Sequence, residues 1–421
     1  MTWKRCRPLL WAMSLLVAST ASAAKISFSE KGYIDVGGLV QAQYRIEQDA
    51  AGSGHDPSND FLLRRARLII AGQFNDNIGF LVDTDVSYAG TGPGTTAGLP
   101  AAASAPGGAV PVATGVYNGI FLLDAMGTFK VSKELTLDAG LTLLPYSHNV
   151  LTSASRQATL SSFPTFFAAN SQRANRDVGV QIRGLLFDDR FYYRMGVFNG
   201  EQTRATIPAV VGPPAVPANP GVNGGDAPKF AGMLRFNIAG KEDGYTFCQV
   251  CFASNPIVNV GVSAETQANA RRNPAPTGPG VSTSTGLGAQ TVGNADLFAD
   301  IPFSPDLELS FEVLATRVWA GDGAPQSGFG VFGLVSLRFG VFGPYAQVEW
   351  FNSDAAYVGR GNTAGDLTTY RGGFSWYILQ HTYKITAEIA FQNKEKAGET
   401  VDGTVIPANH WVGTLQFQAS F

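Results

Sequence analysis

Three groups of residues in this chain have side chains able to do chemistry. The first is a set of charges with strand spacing. Arg65 and Arg67 lie in the run FLLRRARLIIAGQF (61–74), and Asp83 and Asp85 lie in IGFLVDTDVSY (78–88). Residues two apart on an extended chain share a face, so each pair points one way while its greasy neighbours point the other. The same parity collects Arg183, Arg194, Arg235, Arg338, Arg371 and Lys384 with Asp124, Asp138, Glu308, Glu312, Glu349 and Glu388. Such a face is either a solvated wall whose charges pair across strands or the lining of a water-filled passage that filters ions. A small packed interior could not house so many ions, which favours the passage.

The second group is Cys248 and Cys251, spaced C-x-x-C. No βαβ pattern surrounds them as in a thioredoxin-like site, and two further zinc ligands are missing nearby. In an oxidising compartment they form a local disulfide, expected to be dispensable for conduction. The third group is His55, His148, His381 and His410, scattered over loops and turns. No set of nucleophile, base and orienting group forms around them, so no catalytic residue is assigned and an outer-membrane lipase is the weakest alternative. No residue set calls for a cofactor or a metal.

The elements that position these groups are strands. In 78–88, Ile78, Phe80, Val82, Thr84, Val86 and Tyr88 share one parity, and Gly79, Leu81, Asp83, Asp85 and Ser87 the other. The 61–74 arm alternates in the same way from Ala66 onward, and Asn75-Asp76-Asn77 supplies the turn. Each arm has about ten residues, enough for a tilted strand to cross a bilayer, and Phe74, Phe80 and Tyr88 end the apolar stripe where interfacial rings belong. Similar segments recur at 31–48, 116–130, 135–144, 176–187, 190–199, 229–239, 256–267, 293–303, 307–319, 329–339, 344–352, 367–378, 383–394 and 410–421. With the opening hairpin they make about sixteen. Long Gly/Pro/Ala-rich connections alternate with short turns, apart from the connector 240–255 on the short side, which carries the cysteines. A soluble sandwich has no reason to place every long connection on one side; an outer-membrane barrel does. The expected fold is all-β, a transmembrane antiparallel barrel with both ends periplasmic.

Residues 1–23 read as a removable export signal: Lys4, Arg5 and Arg7, an apolar run at 9–17, and a small-residue cleavage site before the Ala23–Ala24 bond. Cys6 precedes the apolar run and is no lipoprotein acylation site. The expected domains are thus a signal over 1–23 and one barrel over 24–421. Signal removal takes three of the 30 basic residues and none of the 33 acidic ones, a balance that excludes nucleic acid as partner. A mean hydropathy of +0.03 suits alternating strands, whose apolar content is diluted. Phe421 ends a strand with Leu415, Phe417 and Ala419 on one parity. It resembles the signal read by the barrel assembly machinery of the Gram-negative outer membrane. The surroundings would be outer-membrane lipid and lipopolysaccharide.

Three stretches carry a further likeness: Phe61 to Leu68 (FLLRRARL), Asp177 to Gly184 (DVGVQIRG) and Met195 to Gly200 (MGVFNG). With these the chain resembles the porin O/P family, the phosphate-selective porins of Gram-negative outer membranes. The resemblance implies sixteen strands, a homotrimer and a loop folded inside each barrel. Phosphate-selecting members use lysine clusters and an arginine ladder. Here Lys130, Lys133, Lys241, Lys394 and Lys396 lie at turns and loop ends, so a phosphate site does not carry over.

The permeants expected are small hydrophilic solutes and ions. In barrels of this size the loop after the fifth strand commonly narrows the pore, and here the corresponding long connection is 145–175. It has no acidic residue but holds His148, Arg156 and Arg173, with Arg176 at its exit. If these face the passage beside Arg65, Arg67 and Arg183, the channel prefers small anions, phosphate or other oxyanions among them. If the loop leans on the wall, its arginines pair with Asp83, Asp85 or Asp124. A structural or adhesive barrel remains the alternative function.

Overall fold

A computed structural model describes residues 24–48, 56–86, 120–161, 175–200, 226–242, 244–273, 286–320, 327–354, 366–394, 398–399, 405–406 and 409–421. Its strands are β1 (Ala24–Ser27), β2 (Tyr33–Glu47), β3 (Ser58–Gln73), β4 (Ile78–Asp85), β5 (Phe121–Lys130), β6 (Thr136–Leu143), β7 (Arg176–Leu186), β8 (Phe191–Phe198) and β9 (Lys229–Ala239). They continue with β10 (Ile257–Asn273), β11 (Gly286–Ser304), β12 (Leu307–Trp319), β13 (Gly328–Phe339), β14 (Phe342–Ser353), β15 (Leu367–Leu379), β16 (Tyr383–Lys394), the two-residue pair β17 (Gly398–Glu399) and β18 (Val405–Ile406), and β19 (Asn409–Ser420). The one described helix, α1 (His148–Leu151), follows β6.

Strands β2 to β15 each pair antiparallel with the next, β16 pairs with β19, and β19 closes the ring against β2, from Val412↔Glu47 to Ser420↔Leu39. The result is a closed barrel of sixteen strands, as the periodicity predicts. Beyond the last residue, where Phe421 and Gly38 exchange backbone bonds of 3.0 and 2.9 Å, β1 takes over the same edge of β2 (Ala24↔Val36 to Ser27↔Tyr33). This short strand is not evident from the sequence. Ala24 opens it; Ala23 and the expected signal lie outside the described residues.

Alternation sets which side chains go where. Along β12 the buried residues are Glu308, Ser310, Glu312, Leu314, Thr316 and Val318, while Leu307, Val313 and Trp319 stand exposed. Large apolar side chains cover the outside all round, among them Leu68, Val180, Val262, Val335, Phe374, Ile389 and Phe417. Charged residues such as Asp138, Arg194 and Glu308 are 0% exposed. Apolar surface in water is unfavourable, so this inverted arrangement belongs in a bilayer.

Local departures have local causes. The alternation of 61–74 starts only at Ala66 because Arg64 is an extra residue: Gln41 pairs with Arg65, but Ala42 pairs with Leu63. This bulge turns Phe61 and Leu63 outward and keeps Arg65 and Arg67 inward. The connection between the segments expected at 256–267 and 293–303 is shorter than the sequence suggests. Past a second bulge, Arg271, Arg272 and Asn273 pair with Gly288, Leu287 and Gly286. At the Asn75-Asp76-Asn77 turn, Asn75 Oδ1 accepts the N–H groups of Asn77 and Ile78 at 2.9 Å each. Val313 lies midway along β12 on the outer face. We expect Val313→Arg to destabilise the barrel by about 2–4 kcal/mol in unfolding titrations from lipid vesicles; a water-facing position would show under about 0.5 kcal/mol.

Candidate channel lumen

The inward charges meet across neighbouring strands. Arg67 sits directly opposite Asp85, with Nε to Oδ2 at 2.9 Å, and its Nη1 lies 3.7 Å from Asp83. Asp83 and Asp124 are cross-strand neighbours, an unfavourable pairing of like charges. Arg67 on one side and Arg176, whose Nε is 3.1 Å from Asp124, on the other relieve it. Arg183 binds Asp138 at 2.8 Å. Arg371 bridges Glu349 and Glu388 at 3.2 and 3.0 Å, and Arg338 binds Glu308 at 2.6 Å. Arg235 pairs with Asp296 at 2.6 Å, in space left by the inward-facing Gly261; a Cβ there would lie 2.9 Å from the Arg235 guanidinium. Arg65 donates to Gln41 at 2.7 Å.

Residues 145–161 leave β6 and run along the inside of this wall, touching strands on several sides. Gln41 of β2 donates to the Ala154 carbonyl at 3.1 Å, and Gln418 of β19 to that of Ser155 at 2.9 Å. Lys384 of β16 donates to the Gln157 carbonyl at 2.6 Å, Ser375 of β15 to that of Ala158 at 3.0 Å, and Gln347 of β14 to that of Ser161 at 3.2 Å. Arg156 alone on this run is exposed, and its side chain makes no ion pair among the described residues. Arg173 lies outside them.

The connector 240–255 is placed differently from the sequence expectation. It is not a plain periplasmic turn: it climbs into the lumen. Gly240, at φ +59°, makes the turn at its base, where a Cβ would lie 2.5 Å from the Pro256 carbonyl. The connector then pairs with the 145–161 run through a parallel bridge of Thr152 and Phe247. The bonds are Phe247 N–H to Leu151 O at 2.9 Å, Ser153 N–H to Phe247 O at 3.0 Å, and Gln249 N–H to Arg156 O at 3.1 Å. Leu144, Tyr146, Val150, Ala158 and Val250 pack on inward Val292, Leu314, Val318, Phe332, Leu334 and Tyr377. The lumen is therefore not polar throughout, as its charges suggest. Its β11–β15 side carries an apolar seat for the two inserts.

His148 locks the assembly. It is fully buried, with Nδ1 2.9 Å from Glu312 of the wall and Nε2 2.9 Å from Glu242 of the connector. Its ring stacks between Phe298 and Phe247, with centroids at 3.9 and 5.4 Å. Burial opposes its charge, but the two carboxylates prevail and raise its pKa to about 9. Glu242 is held low against its own burial, chiefly by His148. Sequence spacing alone leaves His148 unpaired, because both partners are remote in the chain. The usable signal was the connector's length together with Tyr245, Phe247, Val250 and Phe252, too many apolar residues for a solvated turn. Cys248 and Cys251 are joined. Glu242 approaches them closely enough to suggest a metal set, but bonded sulfurs are not thiolate ligands, so none is assigned.

Residues 34–209 match the family model described as phosphate-selective porin O and P. Among curated protein sequences none matches the chain. Solved structures with a similar fold include an anion-selective porin from Comamonas acidovorans (12% identity, TM-score 0.55, 93% of this chain and 100% of that one). The outer membrane channel DcaP of Acinetobacter baumannii has 12% identity and a TM-score of 0.52, over 94% and 100%. The outer membrane protein OmpT of Vibrio cholerae, in a trimer form, has 10% identity and a TM-score of 0.51, over 93% and 100%. These structural likenesses show the barrel fold.

The raised pKa of His148 makes its contribution pH-dependent. A folded-state value above the unfolded one stabilises fully below about 6.5, and the effect fades as pH rises through about 9. We expect His148→Gln to cost on the order of 3–5 kcal/mol at pH 6, and the gap to wild type to shrink by pH 10 in denaturant titrations. Through residues 34–209 the chain is similar to the phosphate-selective porin O and P family.

Proposed function

We propose that the protein is an outer-membrane porin, a diffusion channel for small hydrophilic solutes and ions with a modest preference for anions. The passage runs along β2–β7, across from the apolar seat of the inserts on β11–β15. Inward Arg45, Arg65, Arg67, Thr128 and Arg183 keep partial exposure there, whereas the inward residues of β8–β16 are buried almost throughout.

One observation carries the sign of the selectivity: in the Arg183, Arg176 and Arg67 pairs the cation is the partner nearer the water. Arg183 is 16% exposed over an Asp138 at 0%, Arg176 13% over an Asp124 at 3%, and Arg67 12% over an Asp85 at 2%. A permeating ion meets guanidinium first, with the carboxylate behind it. Acids on distant loops count for little, since the screening length at physiological salt is about 8 Å. Arg156, exposed on the 145–161 run, adds a cation with no carboxylate partner among the described residues, and that run supports the reading of 145–175 as the constriction. Phosphate is not favoured over other small anions, because these guanidinium groups already have carboxylate partners and Lys384 is taken up by a backbone carbonyl.

A homotrimer fits the trimer form of the Vibrio cholerae protein named above, with lipid and lipopolysaccharide around the belt and Phe421 as the assembly signal. Reversal potentials in a KCl gradient across a planar bilayer test the reading. Chloride should permeate better than potassium, and Arg156→Glu should move the reversal potential toward the cation side. A cation-preferring wild type contradicts the selectivity. A properly inserted barrel without conductance would instead favour the structural or adhesive alternative.

A further inference from the structure

We propose that the Cys248–Cys251 disulfide is a thiol–disulfide exchange site that controls how far the connector 240–255 obstructs the channel. The inference rests on the channel reading above. The bond spans only three residues, and so short a loop takes little entropy from the unfolded chain. Global stability is therefore a poor reason for it. What it does fix is the shape of the connector's tip.

That tip is where the connector meets the wall. The N–H of Cys251 donates to Asp300 at 3.2 Å and to Glu308 at 3.1 Å, and the N–H of Phe252 donates to Glu308 at 2.9 Å. His381 donates to the Val250 carbonyl at 2.7 Å. Gln249 donates to Glu312 at 2.9 Å and accepts from the N–H of Ala158 at 3.0 Å. Every one of these contacts comes from the four residues 249–252, within or beside the disulfide loop. Phe252 holds φ +51°, a left-handed conformation unfavourable for a side chain of its size. Its ring lies under the Arg338 guanidinium, 4.7 Å away. Opening the disulfide frees this residue to return to an ordinary conformation, and the N–H groups that cap Glu308 turn away with it.

Access also fits. Cys248 and Cys251 are partly exposed, while Gln249 and Val250 between them are 0% exposed. Their wall partners lie near the Ser304–Leu307 turn, at the end of the barrel where the short turns lie. The reaction needs a dithiol. One thiolate of that dithiol attacks a sulfur of the pair and forms a mixed disulfide, and its second thiol resolves it. The dithiol leaves as a disulfide, having lost two electrons and two protons, and Cys248 and Cys251 become two thiols.

The test uses the oxidised full-length protein in planar bilayers, with dithiothreitol added on the short-turn side. Free thiols are counted in parallel by alkylation and mass spectrometry. We expect reduction to raise single-channel conductance in a step, and oxidised glutathione to reverse it. A Cys248→Ser, Cys251→Ser variant that still assembles should start at the higher level and ignore both reagents. Two free thiols with unchanged conductance would overturn the proposal, as would a disulfide that stays intact in the folded, conducting protein. No conductance in any state would instead defeat the channel reading itself.

Discussion

Everything in this molecule depends on one constraint: in hydrocarbon no backbone N–H or C=O can go without a partner. A sheet satisfies it only by closing, and closure here is the pairing of β19 with β2, extended by β1 below the last residue. Closure also divides the side chains strictly into two classes. Once Leu, Val, Phe and Trp take the outside, charges in the middle of the strands must go inside. There it either meets water or meets an opposite charge. The paired arginines and carboxylates of the lumen follow from that division, and so does the fact that no stretch resembling a transmembrane helix is needed.

The lumen is asymmetric because two segments fill one side of it. The 145–161 run comes down from one end and the 240–255 connector up from the other, and they meet as a short parallel pair sealed by His148 between Glu242 and Glu312. A buried imidazolium between two carboxylates contributes little net stability compared with apolar packing. Removing one member, however, leaves an uncompensated charge. The arrangement therefore specifies position more than it adds stability. It holds the inserts against the apolar seat of β11–β15 and leaves the arginine-fronted side to solvent.

How much of this was legible in the sequence depends on range. Strand identity is written in period-two alternation, so the sixteen barrel strands could be read directly. The sequence also puts Arg67, Asp83 and Asp85 on one face, but their pairing becomes explicit only in the register of β3 with β4. The bulge at Arg64 shows as a break in alternation, though its effect on register becomes clear only once β2 is in place. The inserts were harder. The 145–175 connection was marked by its cations and its place after the strands. The direction taken by 240–255, by contrast, is encoded in contacts with Glu312, Asp300, Glu308 and His381, all remote in sequence. Periodicity carries no such information. An apolar connector was a clue to burial, not to which cavity it fills. Arg173, expected at the constriction, lies outside the described residues.

The central claim is that solutes pass along β2–β7 while the β12–β15 wall is covered. Single cysteines with a charged, membrane-impermeant thiol reagent test it most directly, in protein whose own disulfide stays oxidised. Arg67→Cys and Arg183→Cys should react quickly and lower the current as the reagent attaches, while Ser336→Cys and Ser375→Cys should stay unmodified. Equal reaction at all four positions, or reaction only at the latter two, would contradict a one-sided passage.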